Sequence, residues 1–134
     1  ELVRHGHADL AAEWEQFAVR GPIVDPLILD RHIDRYRSGS RRLTAVAAHY
    51  GVPLSEEDAH GAAADALAAA RVAWVIAQRT PKIAELTPAA LHKTQAEAAA
   101  EQATSYADYL RKQGKPVDDV HPEWPLIPTR KEET

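Results

Sequence analysis

The sequence predicts a mostly α-helical segment that contains one short strand. Apolar residues recur at helical spacing over most of the 134 residues. Helix boundaries are marked locally, because Asp25-Pro26 and Thr87-Pro88 pair a capping residue with proline, while Gly51 and Gly114 suit helix ends. One apolar run, 22–25, has the length of a buried strand, and a lone strand needs pairing partners in another segment or chain.

Three helices are predicted in the first half of the chain. A helix over about 9–19 ends at Gly21-Pro22. The strand runs directly into a helix over about 26–36, and Ser40 is expected to cap the next helix, over about 41–50. One of these helices precedes the strand in the sequence and two follow it.

The second half of the chain is predicted to be helical up to an irregular tail. A polar loop over 52–58 precedes the longest predicted helix, 62–79, whose many alanines permit close packing against a neighbouring element. A last long helix is expected over about 88–113. The tail over 115–134 is expected to be irregular and docked at Trp124.

Composition excludes several kinds of site. The chain has no cysteine, which rules out disulfides, thiolate zinc sites, iron–sulfur clusters and a cysteine nucleophile. A net charge of −4 denies the protein a general basic surface, so nucleic-acid binding would require a local patch. Since no apolar run approaches about 18 residues and no leader opens the chain, we expect no membrane contact and a cytoplasmic location.

His60 and Asp65 are the residues best placed for chemistry. His60 lies on a glycine-containing loop just before a helix, and Asp65 falls in the first turn or so of that helix. Alanines occupy the positions one turn later, so the Asp65 carboxylate lacks a helical ion-pair partner and is a candidate ligand for a divalent metal. An imidazole can take a proton from metal-bound water near neutral pH. The alternative is an ordinary loop histidine beside an acid that the helix dipole favours.

The segment around this pair resembles the third exonuclease motif of the DEDDh family, the DnaQ-like 3′–5′ exonucleases that include the epsilon subunit of bacterial DNA polymerase III. It reads Asp58-Ala59-His60-Gly61-Ala62-Ala63-Ala64-Asp65-Ala66-Leu67. The resemblance extends upstream through Ile23-Val24-Asp25-Pro26-Leu27 and His49-Tyr50-Gly51-Val52, and downstream at least to Arg79. It covers about two thirds of the chain.

The resemblance implies a ribonuclease-H-like α/β fold in the intact protein, with four carboxylates that bind two Mg²⁺ or Mn²⁺ ions and support hydrolysis of phosphodiester bonds at nucleic-acid 3′ ends. By motif position, His60 would be the general base and Asp65 the fourth metal carboxylate. The implied partners are a nucleic-acid 3′ end, DNA rather than RNA, and a DNA polymerase subunit.

The sequence departs from the family because the first motif, Asp-x-Glu, and the aspartate of the second motif do not occur. The chain also begins at Glu1, and Glu1 to Gly6 resembles the end of a helix. We therefore expect 1–79 to be the C-terminal half of an exonuclease domain and 80–134 to be a helical extension with an irregular tail. This fragment alone is expected to be inactive and to bind the metal ions poorly.

A basic segment is the second candidate site. Between positions 31 and 42 five arginines stand against one aspartate. Arg41 and Arg42 are candidate contacts for substrate phosphates. The alternative is a solvated helix face on which Asp30 and Asp34 pair with the arginines.

A different class of function stays open, a non-catalytic protein-interaction module. The alanine-rich helix 62–79 and the helix 87–113 would supply its surface, and the first of these is also a candidate for self-association. A metal-dependent hydrolase of the HD type is excluded, because no His-Asp dipeptide occurs.

Overall fold

The computed structural model describes residues 22–55, 57 and 59–127. This part of the chain contains five helices and no strand, which confirms the expected mostly α character. The helices are α1 (Pro26–Ile33), α2 (Leu43–His49), α3 (Ala62–Arg79), α4 (Pro81–Ala84) and α5 (Pro88–Lys112). The predicted helix over 9–19, Asp58 of the motif and the tail beyond 127 lie outside the described residues. None of the five helices has the length and apolar character needed to span a bilayer.

The chain divides into two compact units, one of residues 24–91 and one that combines 1–23 with 92–134. In the first unit, α1, α2 and α4 pack against α3. At the centre of its core are apolar side chains that are at most 1% exposed, namely Leu29, Val46, Ala47, Val72 and Ile76. Burial of these apolar side chains is the main favourable contribution to the folding of the unit.

The predicted strand at 22–25 is wrong for the described residues, because this segment is joined to no ladder. Its polar groups are satisfied differently. The Ile23 N–H donates to Nδ1 of His92 at 3.3 Å, and the Ile23 carbonyl accepts from Nε2 of Gln95 at 2.8 Å. Side chains of α5 therefore supply the hydrogen bonds that a neighbouring strand would otherwise provide.

Helix α1 begins where the sequence predicts, because the Asp25 carboxylate accepts from the N–H groups of Leu27 and Ile28 at 3.1 and 3.3 Å. It ends at Ile33, about three residues before the predicted end at Tyr36. The backbone leaves the helical region at Asp34, whose φ and ψ are −138° and 57°.

Helix α2 begins at Leu43, two residues later than predicted. Ser40 does act near its start, since the Ser40 Oγ accepts from the Arg42 N–H at 3.2 Å. The turn at Gly51 has φ +72°, the left-handed conformation that a glycine after a helix permits.

Helix α3 spans the predicted residues, from Ala62 to Arg79. The start of α5 is also confirmed, because Oγ1 of Thr87 accepts from the Ala90 N–H at 3.2 Å. The Trp124 ring lies 5.0 Å from the His92 ring on α5, and the Trp124 side chain is half-buried, which agrees with the expected docking of the tail.

Candidate functional site

His60 lies in the turn that leads into α3, with its side chain exposed to solvent. Its φ of +77° is in the left-handed region, which a non-glycine residue seldom occupies. Gly61 then takes the N-cap position of α3. Such a backbone conformation costs free energy and persists where the surrounding contacts fix it.

Asp65 supplies the contact that holds this turn. Its N–H donates to the Gly61 carbonyl at 3.0 Å, as the first turn of α3 requires. Its Oδ1 accepts from the backbone N–H of His60 at 3.3 Å. The carboxylate therefore orients the His60 peptide while the imidazole remains exposed. The two residues that the sequence singles out are neighbours in the structure.

The described residues do not by themselves fit a pair of metal ions. No group of three or more histidine or acidic side chains that could hold a metal occurs within 22–55, 57 and 59–127. A site for Mg²⁺ or Mn²⁺ needs several oxygen ligands, and Asp65 can provide only part of such a set. The metal assignment therefore stays a prediction.

An open pocket of about 310 Å³ lies between the 53–55 loop and the first half of α3. Its lining is mostly apolar, with one cationic side chain from α3. The lining residues are Pro53, Leu54, Ser55, Ala64, Leu67, Ala68 and Arg71. Ala64 precedes Asp65 in the sequence, but neither His60 nor Asp65 lines the pocket.

The two predicted phosphate contacts have different surroundings. The side chain of Arg41 is only 10% exposed, and its Nη1 lies 2.9 Å from Oδ2 of Asp30. Its Nη2 donates to the carbonyls of Asp34 and Arg37 at 2.5 and 2.7 Å. These contacts give Arg41 a structural role, whereas the side chain of Arg42 is exposed.

Asp30 is the ionisable residue whose importance the sequence did not reveal. It is 0% exposed, and its Oδ1 accepts from the Tyr50 hydroxyl at 2.8 Å. Arg37 and Arg41 each donate to its Oδ2 at 2.9 Å. The paired aspartate was foreseen, but on a solvated face. Its position three residues before Ile33 and next to Leu29 is the signal that places it on the buried face of α1.

The electrostatics of Asp30 follow from these partners. Burial by itself raises the pKa of its carboxyl, but hydrogen bonds from Arg37, Tyr50 and Arg41 outweigh it and hold the pKa below its ordinary value. Burial and the hydrogen bond to Asp30 raise the pKa of Tyr50 to about 12. The hydrogen bond to Asp30 also raises the pKa of Arg37. The network is therefore an ionised carboxylate held between two guanidinium groups and a neutral phenol.

Comparison with protein-family models, curated proteins and solved structures finds no match for this chain. The resemblance to the DEDDh exonucleases therefore depends on the residues quoted above, and the function is inferred from those residues and from the geometry of the His60–Asp65 turn.

Proposed function

We propose that this chain carries the third-motif part of a 3′–5′ exonuclease active site, with His60 as the general base and Asp65 as a metal carboxylate in the complete protein. The observation that supports this most directly is the turn before α3, in which Asp65 accepts a hydrogen bond from the His60 backbone. The contact holds the His60 backbone beside the Asp65 carboxylate and leaves the imidazole exposed to solvent.

The two side chains suit these roles. Imidazole is the side chain that most readily exchanges protons near neutral pH, and an exposed one can reach a water molecule. A carboxylate in the first turn of α3 interacts favourably with the helix dipole. The remaining acidic residues of the family site do not occur in this sequence, so we propose that the chain alone binds Mg²⁺ or Mn²⁺ weakly and does not cleave DNA.

The test uses the complete gene product and a 5′-labelled single-stranded DNA in the presence of Mg²⁺. His60→Ala is expected to lower the rate of 3′-end degradation by about 10²–10⁴-fold, the usual contribution of a general base. Asp65→Asn is expected to lower the rate as well, because it removes a carboxylate ligand of the metal. His32→Ala is the matched control, since His32 is an exposed histidine on α1. Degradation by His60→Ala at close to the wild-type rate would contradict the assignment. An RNA of the same sequence tests the expected preference for DNA.

A metal titration of the 134-residue chain examines the second half of the proposal. Calorimetry with Mn²⁺ is expected to show weak binding that Asp65→Asn lowers further, because one carboxylate is a small part of a metal site. Tight binding that survives Asp65→Asn would show that the metal ligands lie elsewhere in the chain.

A second candidate function is a protein-interaction module formed by α3. Opposite its buried face, this helix exposes an apolar stripe in which Leu67 and Trp74 are 51% and 66% exposed. Ala63 and Ala70 are also exposed and share the stripe, because the four residues follow helical spacing. The alternation of large and small side chains allows two copies of the stripe to interlock, which favours self-association.

Sedimentation equilibrium tests this candidate directly. If α3 mediates self-association, wild type is expected to form dimers, and Leu67→Lys is expected to be monomeric. Tyr109→Ala, which removes an exposed aromatic from α5, is the control and is expected to leave the dimer intact. A wild-type chain that stays monomeric at high concentration would remove this candidate and leave the exonuclease proposal untouched.

A further inference from the structure

The segment that connects α1 to α2, residues 34–42, presents an exposed aromatic ring beside a cation. Tyr36 is 89% exposed, the highest value among the large apolar and aromatic side chains that are exposed in the described part of the chain. The Arg35 guanidinium lies over the Tyr36 ring, 5.6 Å from its centroid. A cation at this distance is attracted to the face of the ring and supports its orientation.

The internal ion pairs decide which cations this segment shows to solvent. Arg37 pairs with Asp30 and Asp34, and Arg41 pairs with Asp30, so both local acids are neutralised from within. The remaining arginines are Arg31, Arg35 and Arg42, and all three are exposed. No ion pair joins Arg31 or Arg42 to another described residue. In a chain with a net charge of −4, the exposed surface of residues 31–42 thus keeps two cations, Arg31 and Arg42, that no described acidic side chain neutralises.

We propose that this surface binds single-stranded nucleic acid, with Tyr36 stacked on a base and with Arg31 and Arg42 in contact with phosphates. The choice of ligand rests on the proposed exonuclease function. Stacking on an aromatic ring together with cationic contacts to the backbone is how proteins bind single strands without regard to sequence. An acidic peptide would match the charges, but it would leave the face of the Tyr36 ring opposite Arg35 without a planar partner.

The buried Asp30 makes this surface preorganised. Through Arg41 it holds the carbonyls of Asp34 and Arg37, so the backbone on both sides of Tyr36 is fixed before any ligand arrives. Less conformational entropy is then lost on binding than with an unanchored loop. The arginines therefore have two different roles. Arg37 and Arg41 fix the conformation of the 34–42 segment, whereas Arg31 and Arg42 contact the nucleic acid.

The test measures binding of a fluorescent oligothymidylate to the 134-residue chain by anisotropy, in EDTA and at low salt. Tyr36→Ala is expected to weaken binding about tenfold or more, and Tyr36→Trp to restore it, because stacking requires only a planar ring. Arg31→Ala and Arg42→Ala are each expected to reduce the slope of log K against log salt by about 0.7, the value for one phosphate contact on a single strand.

Two variants outside the surface serve as controls. Tyr109→Ala removes an exposed tyrosine from α5, and Lys82→Ala removes an exposed cation from α4. Neither should change the affinity or the salt slope, and circular dichroism confirms that each variant is folded. The proposal is overturned if wild type does not bind, if Tyr36→Ala binds as wild type does, or if a polyglutamate peptide displaces the DNA at lower concentration than unlabelled DNA. The last result would identify an acidic protein segment as the partner.

Failure of this inference can be told apart from failure of the proposed function, because binding in EDTA requires no cleavage. If Tyr36→Ala loses binding while cleavage by the complete protein is independent of His60, the binding surface stands and the exonuclease assignment falls. If cleavage requires His60 but binding does not depend on Tyr36, Arg31 and Arg42, the exonuclease assignment stands and the proposed binding surface falls.

Discussion

At the scale of single residues, Asp30 carries the largest share of the electrostatic organisation. Its two carboxylate oxygens accept three side-chain hydrogen bonds in a site with no solvent contact. A buried charge of this kind is tolerated only when groups of opposite charge or hydrogen-bond donors surround it. Removal of one partner leaves a buried charge without compensation. These three hydrogen bonds therefore help to fix the conformation of the connection between α1 and α2.

Asp30→Asn is expected to lower the free energy of unfolding by about 3 kcal/mol, because it leaves Arg41 without a counter-charge in a mostly buried site and leaves Arg37 with Asp34 alone. Urea titration monitored by circular dichroism measures the change. Asp108→Asn is the matched control, since Asp108 pairs with Arg111 on the exposed face of α5 and should contribute less than about 1 kcal/mol. Equal effects of the two substitutions would show that the Asp30 network is not a stabilising element.

At the scale of elements, the accuracy of the sequence analysis depends on how local the signals are. The starts of α1 and α5 were predicted correctly, since the capping residue and the proline that mark each start are adjacent in the sequence. The bounds of α3 were also predicted correctly, although its N-cap residue is Gly61 and no side chain caps it. The end of α1 and the start of α2 were misplaced, because Arg41 binds the carbonyls of Asp34 and Arg37 and no short-range pattern encodes that contact. The strand predicted at 22–25 was wrong because the hydrogen-bond partners of Ile23 are side chains of α5, far away in the sequence.

The contact between Gln95 and the 22–25 segment gives a test at this scale. Gln95→Leu keeps the volume of a fully buried side chain but removes the donor to the Ile23 carbonyl. The Ile23 carbonyl is partly buried, and we expect the loss of its donor to lower the free energy of unfolding by about 1 kcal/mol. Gln102→Leu, also on α5 but less buried, is the comparison. If Gln95→Leu is as stable as wild type, water must replace the lost bond.

The candidate site shows the same division between local and tertiary information. The spacing of His60 and Asp65 was enough to predict that they meet, because five residues across a turn and the first turn of a helix bring them together. The different surroundings of Arg41 and Arg42 could not be predicted from the sequence. They depend on which guanidinium group reaches the buried carboxylate of Asp30 on α1. Asp30 itself was recognised as a partner for arginine, but its burial depends on packing that sequence spacing only suggests.

At the scale of the whole molecule, the Asp30–Tyr50 pair contributes a dependence of stability on pH in both the acid and the alkaline range. The lowered pKa of Asp30 adds stability that is present above the ordinary carboxyl value of 3.8 and is lost as the pH falls through the folded value. The raised pKa of Tyr50 adds stability that is present below 10 and is lost as the pH rises towards about 12.

Tyr50→Phe is expected to remove the loss of stability between pH 10 and about 12, because phenylalanine has no proton to release. The free energy of unfolding, measured by urea titration at a series of pH values, should decline by about 2 kcal/mol in wild type over this range and stay flatter in the variant. The tyrosinate absorbance component near pH 12 should disappear with the hydroxyl. An unchanged alkaline profile in Tyr50→Phe would place the responsible group elsewhere.

The hydrogen bonds at Ile23 have a consequence for sheet formation. In an extended segment, the N–H and carbonyl of one residue point to the same side, and α5 occupies that side of Ile23 through His92 and Gln95. A strand could add only along the opposite side, through Val24, and the first residue of the segment, Pro22, has no N–H to offer. The hydrogen bonds to His92 and Gln95 thus leave the Ile23 N–H and carbonyl unavailable for pairing with a strand of another chain.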